Sequence, residues 1–288
     1  YRPGVGLGTA VGKDGKPKDS YTEGVDIEAQ VTVLAEGCRG HLSKQLIKRY
    51  ELDKHSDPQT YGIGIKELWQ LAPGKGQTGK IMHTVGWPAD RSTYAGSFAY
   101  FLDQDRLAIG YVSGLDYADP LYQPYEAFQQ LKHHPLFKPL LEGGSIISAG
   151  ARALIEGGWQ SMPRAEMPGA MLIGDALGLL NVPKIKGTHQ ALRSGMLAAE
   201  HLVRNLSSVG WDQAIRNSKA ADELRRVRNI RPGFFKGFWY GMANAAWETV
   251  TGGRSPWTLK NHADHSQLHK IGSYEMPKRD YYTRELPP

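Results

Sequence analysis

The sequence predicts an α/β fold in which strands and helices are interrupted by an antiparallel, β-rich insertion. Three observations carry this. Near the start, Glu28-Ala-Gln-Val-Thr-Val-Leu-Ala35 reads as a strand that stops at Glu36-Gly37-Cys38-Arg39-Gly40, and residues 41–50 have helical character. From Tyr61 to Val112, short β-like segments are separated by Gly and Pro. Later, the apolar run Met171-Leu-Ile-Gly174 ends on Asp175 and crosses a loop of glycine and proline into a second helix. Strand, glycine turn, helix, β insertion, strand, acid, loop, helix is the order of a nucleotide-binding fold with a substrate domain inserted into it.

The elements follow in order. Gly12-Lys-Asp-Gly-Lys-Pro-Lys18 is a hairpin-like turn. Segments 63–71, 80–86, 93–102 and 107–112 predict the strands of the antiparallel sheet. Residues 124–131 and 135–141 predict short helices. Thr188 is placed to cap a helix, along which Leu192, Met196, Ala199, Val203 and Leu206 recur at helical spacing. The chain from about His262 onward is polar and loop-like.

Composition narrows the classes. A 288-residue chain that is 40% hydrophobic can build a sizeable core. A net charge of +6 suits an anionic partner or a membrane surface, and no nucleic-acid partner is expected. The lone Cys38 can form no internal disulfide and cannot supply an iron–sulfur cluster. The start, Tyr1-Arg-Pro-Gly4, has no secretory pattern and reads as cut from something longer. No purely apolar run reaches about 20 residues, so a spanning helix is not expected. His83, His133 and His134 have no third ligand at useful spacing, so no metal site is expected.

An acid at the end of a buried strand is costly unless something hydrogen-bonds to it. Asp175 sits where open α/β sheets bind ligands, and its carboxylate could accept hydrogen bonds from a polyol such as the ribityl chain of a flavin. The helix near Thr188 would present free N–H groups and the positive end of its dipole to a reduced, anionic ring. Gly178 and Gly187 would let backbone approach that ring. The alternative is an ordinary solvated aspartate in a loop.

The stretch from Asp175 to Gly195, with Asn181-Val-Pro-Lys-Ile-Lys-Gly-Thr-His189, closely resembles the electron-transfer flavoprotein–ubiquinone oxidoreductases. So do Ala35-Glu-Gly-Cys-Arg-Gly40, Tyr61-Gly-Ile-Gly-Ile-Lys-Glu-Leu-Trp69, His83-Thr-Val-Gly-Trp-Pro88, Gly150-Ala-Arg-Ala153, Val227-Arg-Asn-Ile-Arg-Pro232 and Pro256-Trp-Thr-Leu-Lys260. The resemblance implies a flavoprotein oxidoreductase that takes electrons from reduced electron-transfer flavoprotein and passes them through FAD to membrane ubiquinone. It implies an FAD-binding Rossmann-like domain of the glutathione-reductase/hydroxylase type with an inserted quinone-binding domain. The domain limits expected are 1–45 and 165–210 for the FAD-binding part, 46–164 for the β-rich quinone-binding insertion, 211–260 for a helical membrane-facing segment, and 261–288 for a tail. Gly4-Val-Gly-Leu-Gly8 departs from the family's amino-terminal dinucleotide motif, and a 4Fe-4S cluster is expected only in a full-length protein. The alternatives are a related FAD-dependent monooxygenase or isoprenoid-lipid reductase, and a peripheral membrane-binding module.

Carried residue by residue, the resemblance assigns Glu36, Gly37, Arg39, Gln160, Gly174, Asp175, Gly187 and Thr188 to FAD, and Tyr94, Ala95, Gly96, Ser97 and Phe98 to the quinone. Ala95 stands where the family often has the first of two glycines. On this resemblance no side chain is expected to act as a nucleophile or acid–base catalyst. The run from Arg225 to Trp247 places four arginines before an aromatic segment, the signature of an interfacial helix on anionic lipid. Phe234, Phe235, Phe238, Trp239 and Trp247 are expected on its apolar face, with Arg225, Arg226, Arg228 and Arg231 at the rim. The expected setting is the matrix face of the mitochondrial inner membrane or the cytoplasmic face of a bacterial one.

Overall fold

The computed structural model describes residues 14–19, 21 and 28–270. The sequence Gly4-Val-Gly-Leu-Gly8 lies outside these, as do most of the expected tail and part of the 12–18 turn.

The first strand, β1 (Thr32–Leu34), is shorter than its apolar run suggests and leads through the 36–40 turn into helix α1 (His41–Arg49). Four strands follow: β2 (Tyr61–Gln70), β3 (Ile81–Val85), β4 (Ala95–Phe101) and β5 (Arg106–Gly114). Helices α2 (Pro124–Lys132) and α3 (Lys138–Leu141) precede a long strand, β6 (Ser145–Ile155). These strands form a five-stranded sheet in the order β3-β4-β5-β2-β6. Strand β4 alternates buried and half-buried residues along its length, as expected of a sheet with one face on the core. Proline at the start of α2 fits a position whose N–H has no helical partner. Ala127, Phe128 and Leu131 of this helix pack on Leu107, Ile109 and Tyr111.

Strand β6 is absent from the sequence expectation. Its Ser-Ile-Ile-Ser-Ala-Gly-Ala-Arg-Ala run shows no alternation and has weak β propensity. Pairing with β2 from Tyr61↔Ile155 to Gln70↔Ser145 makes it a strand nonetheless. It is the sheet's edge, exposed over most of its length.

The chain then returns to β1. Strand β7 (Glu166–Met167) turns into β8 (Ala170–Leu172), which pairs in parallel with β1, Leu34 opposite Leu172. The short helix α4 (Gly174–Leu177) begins at once, and α5 (Thr188–Asn205) follows the loop. Thr188 is the first helical residue and Gly187 occupies the cap position, without a side-chain cap. Helix α5 forms where the spacing predicts a helix, but the apolar stripe is not its buried face. It buries Gln190, Ser194 and Ala198, while Leu192, Met196, Val203 and Leu206 are 65–82% exposed. Small polar residues allow the close approach: Gly174 N–H donates to Ser194 Oγ at 3.0 Å. Helices α6 (Trp211–Arg216) and α7 (Lys219–Val227) close this half, with Trp211 fully buried and its Nε1–H donating to the Leu172 carbonyl at 3.0 Å. Helix α8 (Ile230–Gly233), a tight turn at Phe234–Lys236, α9 (Phe238–Thr251) and a short turn at Asp264–Gln267 complete the described elements after α7. The fold is thus α/β, a short parallel-strand layer with helices and an inserted antiparallel sheet.

Candidate functional site

A cavity of about 1210 Å³ lies where the parallel layer, the antiparallel sheet and the last helices meet. One wall is Gly174, Asp175, the loop from Leu180 to Lys186, Gly187 and Thr188. The opposite wall is Tyr94, Ala95 and Gly96 from the start of β4, with Glu156 just beyond β6. Ile230, Phe234, Ala245 and Thr249 close the third side.

The first wall follows from local sequence. Gly174 takes φ +55°, which turns the chain straight from β8 into α4. Asp175 is thereby set at the carboxyl end of the parallel strands. Burial raises its carboxyl pKa, and the Arg152 guanidinium opposes that shift. A Cβ on Gly187 would stand 3.1 Å from Asp175 Oδ1, so glycine there keeps the acid and the α5 N-terminus close together. The intervening loop is held by Glu223, a residue that the sequence motifs do not single out. Its carboxylate accepts hydrogen bonds from Asn181 Nδ2 at 2.8 Å, Arg193 Nη1 at 3.0 Å and Lys184 Nζ at 3.3 Å, and contacts His189 Nε2 at 3.0 Å. Burial pushes this carboxyl up, but the bonds from Asn181, His189 and Lys184 outweigh burial and bring it down to about 2.

The structure brings Gly37, Gly174, Asp175, Gly187 and Thr188 to the cavity. It leaves Glu36, Arg39 and Gln160 outside its lining. The Glu36 carboxylate accepts from the Leu42 and Ser43 N–H groups and from Ser43 Oγ, satisfying the start of α1. Burial acts to raise its pKa, and these bonds lower it on balance. Arg39 lies over the Tyr61 ring at 4.9 Å. Gln160 donates its amide to the Arg228 and Leu259 carbonyls, both at 2.7 Å. Cys38 donates to the Ala153 carbonyl at 2.9 Å.

Of the segment assigned to the quinone, Tyr94, Ala95 and Gly96 line the cavity. Strand alternation turns Ser97 inward, where it is 1% exposed and bonded to Thr84. Phe98 stacks on Tyr100 at 4.9 Å over Gly110. A Cβ on Gly96 would come within 2.6 Å of the Thr84 carbonyl oxygen, so glycine there permits the close β3–β4 approach.

The arginine run is also redistributed. Arg231 is 3% exposed, not at a rim: its Nη2 donates to Asp116 Oδ1 at 2.7 Å and its Nε to Glu156 Oε2 at 3.0 Å. Arg228 is taken up by the Arg225, Gly253, Ser255 and Trp257 carbonyls and Thr258 Oγ1. Phe234 packs on Tyr94 at 5.0 Å, and Phe235 on His262 at 5.4 Å, so neither belongs to an open apolar face. Phe238 is half-buried. Trp239, Met242, Trp247 and Val250 are exposed at 68%, 40%, 53% and 87%, and their spacing places them on one side of α9. Among the described residues no helix is long and apolar enough to cross a membrane.

A family model described as ETF-QO, ubiquinone-binding, matches residues 61–154. Over 289 residues, the chain is 46% identical to the mitochondrial electron transfer flavoprotein-ubiquinone oxidoreductase of Sus scrofa, covering 93% of this chain and 47% of that protein. It is 46% identical to the Homo sapiens protein of the same name, covering 96% and 46%. With the Arabidopsis thaliana protein it shares 47% identity, covering 91% and 43%. The family resemblance is borne out. The chain spans about half the length of these ubiquinone oxidoreductase relatives. Among solved structures, a flavin-dependent brominase superposes with TM-score 0.52 at 16% identity, covering 82% of this chain and 60% of that one. The flavin-dependent halogenase CmlS gives 0.50 at 14%, covering 82% and 42%. At those identities the likeness extends to the fold. The family match to residues 61–154 begins with β2 and ends one residue before the end of β6, so it spans the inserted sheet.

Proposed function

We propose that this chain is the flavin- and quinone-handling part of an oxidoreductase that takes electrons from reduced electron-transfer flavoprotein and passes them through FAD to ubiquinone. The observation that carries the reading is that one cavity is lined both by Asp175 and Thr188 and by Tyr94, Ala95 and Gly96. The relatives named for this activity support it.

The residues present fit a flavin. Gly174, at φ +55°, and Gly187 form a cradle that side chains would fill or distort. Asp175 offers acceptors to hydroxyl groups, and the first N–H groups of α5 offer donors where negative charge collects. Gly37 gives access from the β1 side. FAD, when bound, supplies reversible two-electron chemistry. The chain's own residues orient the ring, favour its reduced anionic edge through the helix N-terminus, and hold the loop 181–187 against it through Glu223. Tyr94, Ala95 and Gly96 place a quinone headgroup on the other side of the same space. Three of the four residues on the cavity's third side, Ile230, Phe234 and Ala245, are apolar, which suits the tail of a membrane quinone.

The reading includes a membrane surface. Trp239, Met242, Trp247 and Val250 on the outer face of α9 are the apolar contact, replacing Phe234 and Phe235 in the expected set. Lys236, beside Tyr240 at 5.0 Å, supplies charge toward anionic headgroups. The inner mitochondrial membrane on its matrix face, or the cytoplasmic face of a bacterial inner membrane, is the corresponding location. The deciding test is whether protein purified with flavin gives its electrons to a ubiquinone.

A further inference from the structure

A buried ionic cluster borders the cavity, and the flavin and quinone assignments do not use it. Glu156 and Asp116 are 3% and 6% exposed and share Arg231 between them. Asp264, half-buried at the start of a short turn after α9, accepts the Tyr61 N–H at 3.1 Å and belongs to the same electrostatic group. The cluster therefore holds the carboxyls of Asp116, Glu156 and Asp264 against the single guanidinium of Arg231. Full ionisation would leave uncompensated negative charge in a poorly solvated place, which disfavours the charged forms of Glu156 and Asp264.

Space for the cluster is built into the sheet. Gly62 and Gly114 are opposite each other in the β2–β5 ladder. A Cβ on Gly62 would lie 2.2 Å from Glu156 Oε1, and one on Gly114 would lie 2.5 Å from Asp116 Oδ1. Arg231 also lies over the Tyr94 ring at 4.4 Å. The cluster is thus attached directly to the wall that carries Tyr94, Ala95 and Gly96, and Glu156 is itself part of the cavity lining. Two of its buried polar atoms, Arg231 Nη1 and Asp264 Oδ1, have no hydrogen-bond partner among the described residues.

We propose that Glu156 donates a proton to a quinone oxygen in the cavity and that Asp264, across the Arg231–Asp116 pair, returns a proton to it from solvent. The assignment rests on the quinone-reducing reading above. Reduction of a quinone to a quinol consumes two electrons and two protons. Two electrons and one proton come from the reduced, anionic flavin. The Glu156 O–H bond breaks, an O–H bond forms on the quinone, and the carboxylate left behind is reprotonated through Asp264. Glu156 thus supplies the second of the two protons that the quinol carries.

The charge environment suits both roles. Burial raises the Glu156 carboxyl, Arg231 lowers it, and Asp116 raises it again, with a net upward shift. Burial and then Asp116 push Asp264 up to about 6, against the opposing effects of the Tyr61 N–H and Arg231. Of the other titratable groups at the cluster, Tyr94 is pushed up by burial to about 12 and stays neutral. Tyr61, beside Asp264, is also raised by burial.

The experiment uses the flavin-loaded protein and a short-chain ubiquinone. Infrared spectra of the oxidised protein at about pH 7, without quinone, should show a protonated-carboxyl absorption that Glu156→Gln removes. In stopped-flow mixing, Glu156→Gln should slow quinone reduction on the order of 10²-fold with flavin content unchanged. The wild-type rate should fall as pH rises through about 6, and Asp264→Asn should abolish that dependence. A purely structural cluster would change thermal stability without altering the pH profile. An absorption unaffected by Glu156→Gln, or wild-type kinetics in that variant, overturns the assignment. If Glu156→Gln does not fold, Asp264→Asn decides: an unchanged pH profile overturns it. A wild-type protein that holds flavin but reduces no quinone overturns the functional reading and this assignment together. Normal reduction by both wild type and Glu156→Gln overturns this assignment alone.

Discussion

Gly62 and Gly114 face each other across the β2–β5 ladder, and the volume their side chains would occupy is filled by Glu156, Asp116 and Arg231. The pair ties the end of the β2–β5 ladder to α8, and through Glu156 to the cavity. Gly62→Val should therefore displace the Glu156 carboxylate. The expected cost is about 1–3 kcal/mol, the range for overpacking a close-packed interior. Urea unfolding measures it, and an unchanged midpoint would mean that the cluster yields without strain.

Asp175→Ala should lower flavin occupancy. The variant removes the acceptors at the end of β8 and leaves the α5 N-terminus in place. Flavin absorbance per protein after extensive dialysis is the measure. Retention equal to wild type would show that Asp175 faces the cavity without holding the cofactor.

Glu223 predicts an acid-sensitive loop. Its folded-state pKa of about 2 lies below the ordinary 4.5. A carboxyl depressed on folding contributes stability above its ordinary value and loses it as pH falls through the folded value. Wild type should exceed Glu223→Gln by about 1 kcal/mol at neutral pH, after allowance for the solvent screening of Lys184 and Arg193. The gap should close as pH falls from about 4.5 toward about 2. Parallel stability curves for the two proteins over that range would contradict the assignment.

The fold was legible wherever a pattern is local. Alternation in β4 and the proline-started α2 are written in adjacent residues. Strand β6 was not, because its small residues become a strand only by pairing with β2. The site was half legible. Gly174-Asp175 and Gly187-Thr188 are short motifs that fold onto each other, and the structure brings both to one cavity. Arg231 misled because a run of arginines carries no record of partners far along the chain. Asp116 and Glu156 lie 115 and 75 residues away. The α5 periodicity was real, but Gln190, Ser194 and Ala198, not the larger apolar stripe, make the buried contact.

The outer face of α9 should bind membranes. Trp239→Asp combined with Trp247→Asp should reduce flotation with anionic liposomes. Fully burying one such side chain is worth roughly 1.5–3 kcal/mol, so losing two should lower partitioning at least on the order of 10²-fold. Raised salt should weaken the charge contribution and leave the apolar one. Equal flotation of variant and wild type would exclude this face from lipid contact.

The central claim is that flavin and quinone share the cavity between Asp175 and Tyr94. Its most direct measurement is anaerobic mixing of the photoreduced, flavin-loaded protein with a short-chain ubiquinone while the flavin absorbance is followed. The account predicts rapid return of the oxidised flavin spectrum. A reduced flavin that stays reduced in the presence of ubiquinone would contradict it.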